Sequence, residues 1–205
     1  MTFPPLKSPL KFYAVVPTAD WVERMVEAGA DTVQLRCKTL HGDELKCEIA
    51  RCIAACQGSR TQLFINDHWR EAIAAGAYGV HLGQEDMDTA DLAVIEAAGL
   101  RLGLSTHSVA ELDRALSVHP SYVASGAIFP TTTKQMPTAP QGLEKLREYV
   151  KQARGTPVVA IGGIDLNNAE EVLATGVSSL AVVRAVAEAE NPEAVVKAFQ
   201  ALWNE

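Results

Sequence analysis

Eight short runs rich in apolar and β-branched residues recur along the chain, each followed by a stretch of helical spacing. The runs are KFYAVVP (11–17), TVQLRCK (32–38), QLFIN (62–66), GVHLGQ (79–84), RLGLST (101–106), YVASGAIF (122–129), PVVAIGGI (157–164) and SLAVVRAV (179–186). Between them apolar residues gather on one face, as Trp21, Val22, Met25 and Val26 do in WVERMVEAGA before Gly29 stops the helix. Strict alternation of this kind gives parallel strands joined by crossover helices. Eight units favour closure into a (β/α)8 TIM barrel over an open sheet. The 205 residues lie near the lower bound of about 200 for that fold. We therefore expect one catalytic domain, residues 1–205, with 1–10 as an N-terminal extension.

Composition narrows the partners. A net charge of −7 argues against nucleic acid and anionic lipid, because each phosphate contact needs a Lys or Arg. No run approaches the roughly 18 apolar residues of a membrane span, and MTFPPLKSPLK lacks the apolar core of a signal peptide, so a cytoplasmic protein is expected. Cys37, Cys47, Cys52 and Cys56 form no CxxC pair and have no second ligand cluster nearby, which reads as reduced thiols packed on or near the core. Small-molecule substrates are the expected partners, and a homo-oligomer is compatible with the sequence.

In a TIM barrel the C-terminal strand ends carry the active site. Reading each run to its end collects Gln34, Arg36 and Lys38, then Asn66 and Asp67, then Gln84, Glu85 and Asp86. Next come Ser105, Thr106 and His107, the stretch PTTTK, Gly162 and Gly163, and finally Arg184. Gln34, Arg36 and Lys38 alternate with Leu35 and Cys37, so a period of two sends the three polar side chains into the barrel. Charges there need partners. One solution is an internal ion-pair layer with Asp67 and Asp86. The other is a bound anion with a metal, since one or two carboxylates, substrate phosphate and water are how Mg2+ is usually held.

AIGGI (160–164) lets backbone N–H groups approach a second anion, or makes a tight turn. Two anion subsites follow. One surrounds Arg36, Lys38, Asp67 and Asp86, and the other surrounds Gly163 and Val183–Arg184. The loop from Thr131 to Lys134 can reach both. His81 reads as a packed core residue, whereas His107 on the rim is a candidate for ligand contact.

The segments VQLRCK, FINDHW, GVHLGQED, GLSTH, GAIFPTTTK and AIGGI, in this order and spacing, resemble thiamine phosphate synthase, also called thiamine-phosphate pyrophosphorylase, over about residues 11–187. The resemblance implies a (β/α)8 enzyme that condenses hydroxymethylpyrimidine diphosphate with hydroxyethylthiazole phosphate, releasing diphosphate and thiamine phosphate. It implies that Gln34, Leu35, Arg36, Cys37, Lys38, Asn66, Ser105 and Lys134 hold the pyrimidine diphosphate, with Lys134, Arg36, Lys38 and Ser105 acting in catalysis. It places Mg2+ on Asp67 and Asp86. It assigns the thiazole phosphate to Thr131, Thr132, Thr133, Gly163, Val183 and Arg184.

Members of that family commonly carry serine at the position of Arg184. We expect the guanidinium to fork onto the phosphate, the other course being outward along the rim. The alternatives in function are a thiazole tautomerase on the same fold and a sensor that binds thiazole phosphate without turnover.

Overall fold

The computed structural model describes residues 1–132 and 139–204. The chain runs β1 (Phe12–Val16), α1 (Ala19–Glu27), β2 (Thr32–Leu35), α2 (Gly42–Cys56), β3 (Gln62–Asn66), α3 (Trp69–Ala74), β4 (Gly79–Leu82), α4 (Gln84–Thr89) and α5 (Leu92–Ala97). It continues through β5 (Arg101–Thr106), α6 (Val109–Leu116), β6 (Tyr122–Ser125), α7 (Gly142–Gln152), β7 (Val158–Ile161), α8 (Ala169–Leu173), β8 (Ser179–Val182), α9 (Arg184–Ala187) and α10 (Pro192–Ala201). The strands close in sequence order, all neighbours parallel, with β8 returning to β1 through Phe12 opposite Leu180. The eightfold closed barrel expected from the alternation is the observed fold.

Register divides the apolar residues into two layers. Val33, Leu35, Ile65, Val80, Leu82, Leu102, Leu104 and Val123 point outward into the helix-covered core. Tyr13, Val15, Phe64, Tyr122, Ala124, Val159 and Ala181 point inward. Large rings fit the narrow interior because glycines stand opposite them. A Cβ on Gly103 would lie 2.1 Å from Tyr122, and one on Gly79 would lie 2.6 Å from Phe64. Alternating small and large inward residues is how a barrel of eight strands fills its interior with side chains.

Residues 1–10 close the N-terminal end of the barrel. Leu10 is buried in the interior layer, the Lys7 amide donates to the Tyr78 hydroxyl at 2.9 Å, and the Ser121 hydroxyl donates to the Pro4 carbonyl at 2.7 Å. Side-chain caps start several helices: Thr18 accepts from Trp21 N, Ser108 from Glu111 N, and Asn191 from Ala194 N.

Of the thiols, Cys37 and Cys52 are buried, Cys56 is partly covered and Cys47 is exposed. Cys47 therefore departs from the packed position expected for it. Among the described residues no helix is long and apolar enough to cross a membrane.

Several strands end earlier than their apolar runs. β2 stops at Leu35, β4 gives way to α4 at Gln84, β6 stops at Ser125, and the run SLAVVRAV turns into α9 at Arg184. At Gly126 the reason is steric: a Cβ would stand 2.3 Å from the Ile161 carbonyl oxygen, so only glycine lets the chain leave β6 across β7. These tails form the C-terminal rim.

Candidate active site

The strand ends enclose a cavity of about 1410 Å³, lined on one side by Gln34, Arg36, Lys38, Asn66 and Asp86 and on the other by Gly162, Gly163, Val183 and Arg184. The segment Gln34 to Lys38 divides as a period of two requires. Gln34, Arg36 and Lys38 line the cavity, whereas the side chains of Leu35 and Cys37 are buried in the outer core. The side chains of these two residues, expected at the diphosphate, face the helices, so a contact from them would come from the backbone.

On the charged side, Asp67 follows β3 at φ 63°, a left-handed turn that redirects the chain at the mouth. Its carboxylate accepts from Lys38 Nζ. Asp86 lies on α4, where its Oδ2 accepts from the Gly83 amide at 2.9 Å and caps the helix. Burial pushes the Asp86 carboxyl above its ordinary range; the Gly83 amide acts in the opposite sense, and the adjacent Asp67 carboxylate raises it further. Two carboxylates side by side, only one of them paired with a lysine, favour a cation between them. Among the described residues no group of three or more His, Cys, Asp and Glu forms a metal site, so any metal there needs oxygens from a ligand or water.

The ion-pair layer considered from sequence exists at Lys38–Asp67 and does not extend to Arg36. Neither the Arg36 guanidinium nor the Asn66 amide has a hydrogen-bond or ion-pair partner among the described residues, and both line the cavity. Asn66 is only 7% exposed. A nearly buried amide and a guanidinium that find no protein partner are suited to a ligand that supplies oxygens.

Under this side runs a hydrogen-bonded chain that the sequence reading did not contain. Gln34 Nε2 donates to Tyr13 Oη at 2.9 Å, Tyr13 and Tyr122 hydroxyls meet at 2.7 Å, Tyr122 Oη lies 2.7 Å from His81 Nδ1, and His81 Nε2 lies 2.8 Å from Ser105 Oγ. The directions are mutually consistent when Tyr122 donates to Nδ1 and Nε2–H donates to Ser105. His81 is buried, as expected, yet its ring is a cavity wall that orients Ser105. Burial raises the Tyr13 and Tyr122 hydroxyls above the ordinary tyrosine range, so both stay neutral. Inward register of Tyr13 and Tyr122 was the available signal; aromatic character alone reads as packing. Gln84 adds a brace, its Nε2 donating to the Ser105 carbonyl at 2.7 Å. His107 lines the cavity with Nδ1 held 2.8 Å from Glu111 Oε2.

The opposite side is built from backbone. Gly162 and Gly163 take φ 102° and 68°, and a Cβ on either would come within 2.7 Å of Ala127 or Phe129. Both features demand glycine. No backbone carbonyl among the described residues takes the Gly163 N–H, and the first N–H groups of α9 follow Val183. Arg184, first residue of α9, forms a two-point pair with Glu188, Nε to Oε1 at 2.8 Å and Nη2 to Oε2 at 3.0 Å. Its Nη1 donates to Thr132 Oγ1 at 3.0 Å. The side chain thus stays at the rim. Thr131 lines the cavity; Thr133 and Lys134 fall outside the described residues.

A parallel eight-stranded barrel with cations, adjacent carboxylates and glycine-flanked amides around one C-terminal cavity defines a (β/α)8 protein suited to phosphorylated small molecules. The family model described as thiamine monophosphate synthase matches residues 12–186, and the chain belongs to that family. It is 92% identical over 204 residues to the thiamine-phosphate synthase of Neisseria meningitidis serogroup B, covering 100% of both chains. It is 52% identical over 187 residues to the thiamine-phosphate synthase of Escherichia coli O1:K1 / APEC, covering 91% of this chain and 89% of the relative. In structure it is similar to a thiamine phosphate pyrophosphorylase from Pyrococcus furiosus, with TM-score 0.83, 32% identity, and 94% and 95% of the two chains covered.

Proposed function

We propose that the protein condenses 4-amino-2-methyl-5-(diphosphooxymethyl)pyrimidine with 4-methyl-5-(2-phosphooxyethyl)thiazole, giving thiamine phosphate and diphosphate. The observation that carries this reading is the pairing, within one cavity, of Arg36 and Asn66, unpartnered among the described residues, beside two carboxylates with a glycine-lined backbone pocket across from them. Such a cavity can hold a diphosphate and a separate phosphate at once. The family relationship supports the same chemistry.

Arg36, Lys38 and Asn66 hold the diphosphate oxygens, with Lys134 as a further cation. Gln34 and Ser105, fixed by the tyrosine–histidine chain, bind the pyrimidine. Asp67 and Asp86 hold Mg2+, which when bound neutralises charge on the diphosphate. Thr131, Thr132, Thr133, Gly163, Val183 and Arg184 receive the thiazole phosphate.

In the reaction the bond between the pyrimidine methylene carbon and the diphosphate oxygen breaks, and its electron pair leaves with diphosphate. The ring amino group stabilises the resulting cation by resonance, and the thiazole nitrogen lone pair then forms the new carbon–nitrogen bond. No protein nucleophile is needed. The residues contribute by stabilising departing charge and aligning the two partners.

Incubation of the protein with both substrates and Mg2+ tests this. Diphosphate and thiamine phosphate should form in equal amounts, and only when both substrates are present. Isomerisation of the thiazole alone would indicate a tautomerase, and saturable thiazole-phosphate binding with no diphosphate release would indicate a sensor.

A further inference from the structure

We infer that Glu188 is an affinity-setting residue for the phosphate end of the thiazole substrate, acting as a built-in carboxylate competitor for Arg184. The inference rests on the reading that a phosphate is received between Gly163 and the start of α9. Arg184 and Glu188 both line the cavity, next to Gly163 and Val183.

All three nitrogens of the guanidinium are engaged. Nε and Nη2 grip the two Glu188 oxygens at 2.8 and 3.0 Å, and Nη1 holds Thr132 at 3.0 Å. A two-point grip on a carboxylate is the same fork that arginine offers to two oxygens of a phosphate. Glu188 therefore occupies the Nε–Nη2 fork that an incoming phosphate can use.

The pair is four residues apart on a single helical turn, and its side chains are 50% and 60% exposed. Surface pairs of this kind are weak, so a phosphate dianion can displace the carboxylate. Arginine here thus gains attraction for phosphate without the full retention that an unopposed cation would give. The same exchange helps release a phosphorylated product, because Glu188 recaptures Arg184 as the phosphate departs. Serine at 184 could make no such exchange.

Steady-state kinetics with phosphorylated and unphosphorylated thiazole alcohol, on wild type, Glu188→Gln, Arg184→Ser and the double variant, test this. Glu188→Gln should lower KM for the phosphorylated thiazole about two- to fivefold, the range set by the strength of an exposed pair. KM for the unphosphorylated alcohol should not change. In the Arg184→Ser background the Glu188 substitution should have no effect.

An unchanged or raised KM in Glu188→Gln would overturn the inference, with melting temperature checked to show intact folding. An equal drop in the Arg184→Ser background would also overturn it, since the carboxylate would then be repelling phosphate directly. Either result with normal wild-type turnover leaves the proposed condensation standing, whereas absence of turnover in wild type would remove the condensation itself.

Discussion

In the lower half of the barrel neighbouring rings of Tyr13, Phe64, Tyr78 and Tyr122 stand 5.1–6.2 Å apart, and the three tyrosine hydroxyls bond to one another or to neighbouring side chains. One exception is Thr32 Oγ1, buried without a partner among the described residues. One layer higher, Arg36 and Asn66 face the cavity with no protein partner among the described residues, and Asp86 has its carboxyl pushed up by burial. The same strands build both levels. The floor satisfies nearly all its polar atoms internally and so serves folding, whereas the mouth, though it pairs Lys38 with Asp67 and Arg184 with Glu188, leaves Arg36 and Asn66 without a partner among the described residues and so serves a ligand. A substitution in the floor should therefore cost stability, and one in the mouth should cost binding.

The strongest attempt to break that contrast is Gly103→Ala. Its Cβ would stand 2.1 Å from Tyr122, and overpacking of this severity should cost about 3 kcal/mol of stability, near the top of the usual range. Denaturant unfolding measures it. A wild-type midpoint would mean the floor yields.

Arg36→Ala should do the reverse. Loss of charge-assisted hydrogen bonds of about 1.5–3 kcal/mol raises KM for the pyrimidine diphosphate roughly tenfold to hundredfold, while the unfolding midpoint stays within error. A large loss of stability with unchanged KM would assign Arg36 to the floor.

Tyr122→Phe leaves the Tyr13 hydroxyl and His81 Nδ1 each short of a partner, a cost of about 1–3 kcal/mol. It should also soften alkaline unfolding. Burial holds the Tyr122 and Tyr13 hydroxyls above their ordinary value of 10.0, so the folded chain keeps protons that the unfolded chain releases. Stability is full below that value and falls as pH rises beyond it. Thermal melts across the alkaline range, compared between wild type and variant, check the sign.

The smallest effect concerns the cysteines. Burial pushes Cys56 up to about 11, so iodoacetamide at mildly alkaline pH should label exposed Cys47 well before Cys56. Equal labelling rates would show that α2 opens under these conditions.

The barrel was legible because alternation and helical spacing are properties of whole segments. The charged side of the cavity was legible as well: Gln34, Arg36 and Lys38 follow strand periodicity directly. Two short helices were not. GQEDMDT has too little apolar spacing to mark α4, which is fixed instead by the Asp86 carboxylate capping Gly83. In AVVRAV the β-branched residues favour a strand, yet β8 ends at Val182 and α9 begins at Arg184.

The Glu188 partner of Arg184 was not foreseen. A partner on the following helical turn becomes visible only once that helix is known. The tyrosine–histidine chain escaped for another reason. Its members come from β1, β2, β4, β5 and β6, and closure of the barrel alone brings them together.

The contrast between floor and mouth is tested most directly by the melting temperature of Asp86→Asn beside wild type at neutral pH, with and without Mg2+ plus diphosphate. Asparagine keeps an oxygen to cap Gly83 and removes a charge that burial disfavours. Without added ligand the variant should melt no lower than wild type, and Mg2+ with diphosphate should raise the wild-type midpoint alone. A variant that melts several degrees lower in the absence of ligand, or that is stabilised by Mg2+ and diphosphate as much as wild type is, would contradict the account and make Asp86 a structural residue.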